Sequence, residues 1–266
     1  MTTPLLDTAR HPIDDDAFAA GCAAALASDG ALVLEQFFTD EAIRRIVHEV
    51  GPWETSAFYA SSTHNVSLTP IDPLLPGDHP LNRQVASSKG LIADDQIPIE
   101  SPLREVYDDP AFRSFLCRVL GIDQIYAYAD DVSSINVHYA GSGMELGWHF
   151  DNSSFAVTAL LQAPDAGGVF EYVPAVRDAQ GEIMAERVGR VLDGREPPRT
   201  LDMRPGDLVL FRGRESLHRV TPTEGSTTRI LVVFAFNSEP GIALSDSARA
   251  TFYGRPSTVS RHRPGC

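Results

Sequence analysis

After residue 130 the chain breaks into short runs rich in β-branched and aromatic residues: SSINVHYA, FAVTALLQ, GGVFEYVP, DLVLFRG and ILVVFAFN. Each has the length of a strand, and several are bounded by Gly, Pro or Asp. PGD at 205–207 and DAGG at 165–168 are turn signals between such runs. Many short strands separated by turns must close on one another to bury their apolar faces. The expected fold class is therefore mainly β with added helices, built on a double-stranded β-helix, the cupin-like jelly roll.

The first 120 residues have a different texture. DDDAFAAGCAAALASDG is alanine-rich and stops at Gly30. In EAIRRIVHEVG the apolar residues recur at helical spacing, with Thr39 as its cap, Asp40 and Glu41 near the positive end of the dipole, and Gly51 as the stop. PAFRSFLCRVLG places Pro110 near a helix start and Gly121 at its end. Residues 52–100, rich in Ser, Pro, Gly and Asp, read as loops with short strands and helices. Residues 175–203 interrupt the strands and are expected to form a helix and a charged loop over one rim. The 266 residues are read as a single domain. About 1–125 form helical and loop support, and about 130–240 form the core that carries the chemistry. For the C-terminal RPSTVSRHRPGC, composition leaves both a disordered tail and a flap over the site open.

The chemistry is concentrated in GWHFDNS, residues 147–153. In an extended strand, residues two apart point the same way, so His149 and Asp151 would aim an imidazole and a carboxylate at one point while Phe150 turns aside. A third ligand must come from elsewhere, and RESLHRVTP supplies His218, 69 residues on and just beyond the run DLVLFRG. Two imidazoles and one carboxylate on one face leave three coordination positions open, the arrangement that suits non-haem iron(II) oxygenases. Eleven residues further, Arg229 stands at the lip of the apolar run ILVVFAF. A guanidinium there is costly to bury alone and asks for a carboxylate or phosphate, for which its planar fork is suited. The bland alternatives are a histidine hydrogen-bonded near a strand end and an arginine paired with an internal Asp or Glu.

With these residues in place the chain resembles the iron(II)- and 2-oxoglutarate-dependent oxygenases, over about residues 132–237. More narrowly, INVHYAGSGMELGWHFDNSSFAVTALLQAP and FRGRESLHRVTP resemble the branch of bacterial free amino-acid halogenases and their hydroxylase relatives, and HNVSLTP at 64–70 extends that match. The resemblance implies that His149, Asp151 and His218 ligate iron(II) and act as the catalytic triad. It also implies that 2-oxoglutarate chelates the metal and sets its far carboxylate on Arg229, with dioxygen as cosubstrate and succinate and CO2 as products. Asn136 matches a position that faces the cosubstrate, or is a plain structural amide, and Thr158 lies on the strand that would complete the same pocket. Halogenases of the branch replace the ligand carboxylate with glycine or alanine to admit halide. Asp151 keeps it, so hydroxylation of an unactivated carbon is the expected outcome, with desaturation, cyclisation or halogenation as the related alternatives. Glu145, Asn152, Glu171 and Arg219 are candidate substrate contacts, for each of which a rim salt bridge or turn hydrogen bond is the competing reading; Ser153 and Arg214 stand beside them. The branch implies a small-molecule substrate, a free amino acid or a derivative.

Composition narrows the alternatives. At 43% hydrophobic and 22% charged the chain is that of an ordinary globular protein. With 22 Lys plus Arg against 36 Asp plus Glu, a net charge of −14, and no basic run interleaved with aromatics, nucleic acid and anionic membrane surfaces are poor partners. Nucleic-acid demethylation by the same metal chemistry is thereby disfavoured. Neither a signal peptide nor a membrane-length apolar run is evident, and Cys22, Cys117 and Cys266 are too scattered for a disulfide framework, so a reducing, cytoplasmic setting is expected. A homodimer is left open. Two other classes remain: a cupin-type enzyme that needs no 2-oxoglutarate, which would leave Arg229 without a task, and a non-catalytic binding β-sandwich.

Overall fold

The computed structural model describes residues 4–255. The readings of the C-terminal tail therefore fall, beyond Arg255, outside the described residues. Helix α1 (Asp16–Asp29) leads into strand β1 (Ala31–Leu34) and helix α2 (Asp40–Val50). A 3-10 turn at Gly51–Ser56 precedes β2 (Phe58–His64), which pairs across a long connection with β3 (Val85–Ile92). Helices α3 (Pro102–Asp108) and α4 (Pro110–Leu120) complete the N-terminal part. Strands β4 (Ile135–Ala140), β5 (Leu146–His149), β6 (Ala156–Gln162), the short β7 (Ala166–Gly167) and β8 (Phe170–Val173) follow. Helix α5 (Ala185–Leu192), β9 (Arg199–Leu201), β10 (Leu208–Phe211), β11 (Leu217–Val220), the short β12 (Thr223–Glu224), β13 (Arg229–Phe234) and helix α6 (Asp246–Tyr253) close the chain.

Most helix signals act where the sequence puts them, but Gly51 stays right-handed and passes α2 straight into the 3-10 turn. The Asp15 carboxylate accepts from the Phe18 amide at the start of α1, and Gly30 takes the left-handed conformation (φ +72°) that ends it. Thr39 caps α2 in the same way, and Asp109 and Gly121 bracket α4.

The strands form one nearly closed antiparallel sheet in the order β1-β10-β6-β13-β4-β3-β5-β11-β8-β9, with β2 added beyond β3. The joint between β3 and β5 is a single pair, Ser87 with Leu146, so the sheet folds there into two facing layers. This is the jelly roll. In the first layer, strand alternation sends Val157, Ala159, Leu208, Leu210, Val232 and Phe234 outward against the helices, where they join Phe37, Phe112, Phe115 and Leu116 in the main core. The intervening residues, among them Thr158, Val209, Arg229 and Leu231, face inward and line a cavity. Both faces are thus covered, which is why these strands read as nearly continuous apolar runs.

The second layer is backed by a smaller core. Trp148, Phe150, Val173, Val176 and Leu217 pack there against Val188 and Val191 of α5. The insertion at 175–203 therefore covers the outer face of this layer and adds β9 to its edge. Among the described residues no helix is long and apolar enough to cross a membrane.

Candidate metal centre

The site begins with a register. Strands β5 and β11 pair antiparallel with His149 directly opposite His218, so the two imidazoles stand side by side, ring centroids 4.2 Å apart. Each ring is held from behind in the same way: Nδ1 of His149 donates to the Gly147 carbonyl at 2.7 Å, and Nδ1 of His218 to that of Ser216 at 2.9 Å. This leaves both Nε2 lone pairs facing inward, since a carbonyl behind the ring fixes the orientation of a metal-binding histidine. Phe170 and Phe211 pack on the His218 ring and keep it from turning.

Asp151 completes the group from a different place than strand parity suggests. Strand β5 ends at His149, so Asp151 is not extended strand; it follows in the loop, where its amide donates to the Gly213 carbonyl at 3.0 Å. Phe150 does turn away, fully buried, with its amide bonded to the Val66 carbonyl at 2.8 Å. The Asp151 Oδ1 atom lies 3.8 Å from His149 Nε2 and 3.5 Å from His218 Nε2. One ligand atom from each of the three residues falls within 4.8 Å of the others. His218, expected just past a strand, instead sits within β11, because the turn of residues 212–216 is short enough to start a new strand at Leu217.

The donor set fits a divalent iron ion. Burial, reinforced by the neighbouring His218, pushes the His149 imidazole well below its ordinary range, so it stays neutral and able to ligate. Burial alone would raise the Asp151 carboxyl, but the His218 and His149 imidazoles and Lys89 hold it below its usual range, so it stays anionic. Two imidazoles and an anionic carboxylate, all on one side, leave the opposite side to exogenous ligands.

That side opens into a cavity of about 240 Å³ between the two layers. Arg229, at the start of β13, is 6% exposed and has no carboxylate partner among the described residues. Burial pulls it down to about 10. It is a cation waiting for an anion. Thr158 and Glu145 also reach this cavity.

The remaining candidates are placed elsewhere. Asn136 is buried on β4 but does not line the cavity; its Nδ2 donates to the Ser133 carbonyl at 2.7 Å, as a structural amide would. Asn152 is exposed outside the cavity, its carbonyl accepting from Arg214. Glu171 and Arg219 occupy opposed positions on β8 and β11, one residue out of phase with His218, and so point to the outer face. There they pair at 2.6 Å, with the guanidinium 4.8 Å from the Trp148 ring. Strand parity thus turns Glu171 and Arg219 away from the cavity.

Two functional features carry no signal in the sequence. Lys89, on β3, lines the cavity and donates toward His138 Nε2 at 3.4 Å, and burial lowers it to about 8. Nothing in VASSKGLI distinguishes it from a surface lysine. Gly213 is the other: a Cβ built there would lie 1.8 Å from Asp151 Oδ2. The motif HNVSLTP, by contrast, has a visible task. The Asn65 side chain accepts from the Ser67 and Thr69 amides, fixing the loop whose Val66 carbonyl holds Phe150.

Comparison with known proteins agrees with this geometry. A family model described as halogenase D matches residues 86–251. No curated protein matches the sequence. Among solved structures, an oxidoreductase of the 2OG-Fe(II) oxygenase family from Burkholderia pseudomallei is similar over 84% of this chain and 92% of its own, with TM-score 0.53 and 16% identity. The epimerase SnoN from nogalamycin biosynthesis, solved with Fe3+, alpha ketoglutarate and nogalamycin RO, is similar over 84% of both chains at TM-score 0.56 and 13% identity. AviO1 from Streptomyces viridochromogenes covers 85% of this chain and 97% of its own at TM-score 0.53 and 15% identity. At these identities the likeness is one of fold.

Proposed function

The chain belongs to the halogenase D family, and from that premise we propose that it is an iron(II)- and 2-oxoglutarate-dependent hydroxylase of a small molecule, with a free amino acid or close derivative as substrate. His149, Asp151 and His218 would hold the iron, and Arg229 would hold the far carboxylate of 2-oxoglutarate, with Thr158 lining the same cavity opposite Val233. Bound there, iron(II), 2-oxoglutarate and dioxygen supply the oxidising power to remove hydrogen from an unactivated carbon, the organic acid leaving as succinate and CO2.

The observation that carries the reading is the Asp151 carboxylate, 3.5 Å from one imidazole nitrogen and 3.8 Å from the other. A halogenase of this type needs that ligand position free for halide, whereas here it is filled by a side chain that the two neighbouring imidazoles and Lys89 keep anionic against its burial. Arg229 supports the cosubstrate: a guanidinium that faces the triad cavity with no carboxylate partner among the described residues has no task in a cupin enzyme without an organic acid. The fold and the acidic net charge of −14 favour a small ligand inside the barrel over a polyanion on its surface.

The test is succinate release with iron(II), 2-oxoglutarate, oxygen and a panel of free amino acids in chloride buffer, followed by mass spectrometry. A hydroxylase adds one oxygen to its substrate. A chlorinated product, or no amino-acid stimulation of 2-oxoglutarate consumption, would overturn the proposal.

A further inference from the structure

Lys89 is not needed to explain the metal centre or the cosubstrate anchor. It lies on the inner face of the first layer, one strand away from Arg229: Arg229 pairs with Ala140 on β4, Tyr139 with Gly90 on β3, and Lys89 with Ala60 on β2. Two strand spacings put the Arg229 and Lys89 backbones about 10 Å apart, with only the small Ala140 between them. Among the described residues Lys89 has no carboxylate within salt-bridge distance. Its side-chain ammonium meets the ring of His138 at 3.4 Å, a half-buried imidazole held neutral by desolvation and by the two flanking cations. Asp151 contributes only its field, and that carboxylate has its own task at the metal. A half-buried ammonium that lines the cavity beside a neutral imidazole is an anion site without its anion. The two carboxylates of 2-oxoglutarate are already accounted for, one by the metal and one by Arg229.

Lys89 and His149 also form the shared wall of a second cavity, of about 130 Å³. Its floor is one face of the β2–β3 hairpin, because Phe58, Ala60 and Ser62 on β2 point the same way as Ser87, Lys89 and Leu91 on β3. Its roof is Phe252 of α6. That roof is fixed: Arg249 of α6 pairs with Asp131 at 2.7 Å, Arg255 pairs with Asp95 through both nitrogens at 2.8 and 2.9 Å, and Gly254 abuts Phe58. An apolar cavity of about 150 Å³ takes up a molecule the size of benzene. This one accepts a short aliphatic or small cyclic group. Glu145, just before β5, stands next to this part of β3, its carbonyl accepting from the Ser88 amide at 2.7 Å, and it can take an ammonium in the larger cavity.

We propose that the substrate carries a carboxylate held by Lys89 and a short apolar arm lodged in the cavity between the β2–β3 hairpin and α6. This rests on the hydroxylase reading above and narrows its substrate to small amino acids with an aliphatic side chain. His149 lines both cavities, so an arm lodged there lies against the back of a metal ligand. Ala60 and Phe252 set its maximum size.

The test uses calorimetric titration of the full chain loaded with zinc(II), which binds but does not turn over. 2-Oxoglutarate is titrated first, then L-alanine, L-norvaline, L-norleucine and the corresponding amino alcohols. Affinity should rise with chain length, and each acid should bind at least tenfold more tightly than its alcohol. Lys89→Met should bring that ratio near one and leave 2-oxoglutarate affinity within twofold. Ala60→Phe should weaken L-norleucine at least tenfold and leave L-alanine unchanged. Circular dichroism and thermal melting confirm that both variants fold. Equal binding of acids and alcohols, weakened 2-oxoglutarate binding in Lys89→Met, or no binding by any of the series to the 2-oxoglutarate complex would overturn the assignment. If 2-oxoglutarate itself does not bind the wild type, the oxygenase reading falls first and this assignment with it.

Discussion

Gly213→Ala tests the metal centre without touching a ligand. The glycine sits in the turn between β10 and β11, and its backbone is not left-handed, so alanine meets no conformational strain there. Its methyl group, however, would lie 1.8 Å from Asp151 Oδ2 and 2.6 Å from Cγ, whereas real Cβ contacts are essentially never below 3.0 Å. The carboxylate must retreat by more than 1 Å, while metal–ligand distances tolerate about 0.2 Å. The turn cannot yield instead without losing the bond from the Asp151 amide to the Gly213 carbonyl, which holds the same carboxylate in place. Disturbing groups behind a metal ligand costs about 10–100-fold in affinity, and displacing the ligand itself should cost at least that much. The assay is anaerobic competition titration with cobalt(II), with a thermal melt of the metal-free protein to show that the fold survives. Asp151→Gly provides the control. Once the carboxylate is gone the methyl has room, so Gly213→Ala should cost nothing further in that background, and the double-mutant cycle should return the whole effect as coupling. Wild-type metal affinity in Gly213→Ala, or additive losses in the double variant, would show that Asp151 does not hold the metal from this position.

Three further outcomes follow from particular side chains. Arg229→Met should weaken 2-oxoglutarate by about 2 kcal/mol or more, roughly thirtyfold, without lowering the melting temperature, because it removes a buried cation with no carboxylate partner among the described residues; unchanged cosubstrate affinity by calorimetry would contradict the anchor role. Burial lowers Lys89 from 10.5 to about 8, so between those values the unfolded chain binds a proton that the native one does not, and stability should rise as pH increases from about 8 to 10.5; melting curves of the metal-free protein across that range should show the rise weakened in Lys89→Met, and an identical slope would refute the burial argument. Arg219→Ala breaks a pair on the outer face and should cost within about 1 kcal/mol of stability with cosubstrate affinity unaltered; a large loss of either 2-oxoglutarate or amino-acid binding would mean that the outer face of β11 reaches the site.

The jelly roll was legible because its signals are local. Each apolar run between Gly, Pro or Asp became a strand, and the cap at Thr39, Pro110 at the start of α4 and the stops at Gly30 and Gly121 act on their own helices. The hairpin of β2 and β3 was less visible, since ASSTH and VASSKG carry little apolar patterning: one face of that hairpin lines a cavity and the other is largely exposed. For the ligand triad, residue type and order carried the reading, while the geometric reason given for one pair was only half right. His149 is on a strand, but Asp151 reaches the same point from a loop, anchored by Gly213 rather than by pleat alternation.

Parity explains the rest. Around the triad, every strand residue has an even chance of facing the cavity, and spacing along a sequence does not reveal which until register is known. Glu171 and Arg219 stand next in sequence to inward-facing Phe170 and His218, and that one-residue offset is enough to send them outside as a mutual pair. Lys89 shows the reverse case. It lies 60 residues before His149 in a polar stretch, and it becomes an interior cation only because β3 joins the two layers of the barrel through the single pair Ser87 with Leu146. A strand at that fold line has one face turned to both cavities at once. The residues that choose a substrate in this architecture are thus expected where a layer bends, on strands whose own sequence gives no sign of being interior.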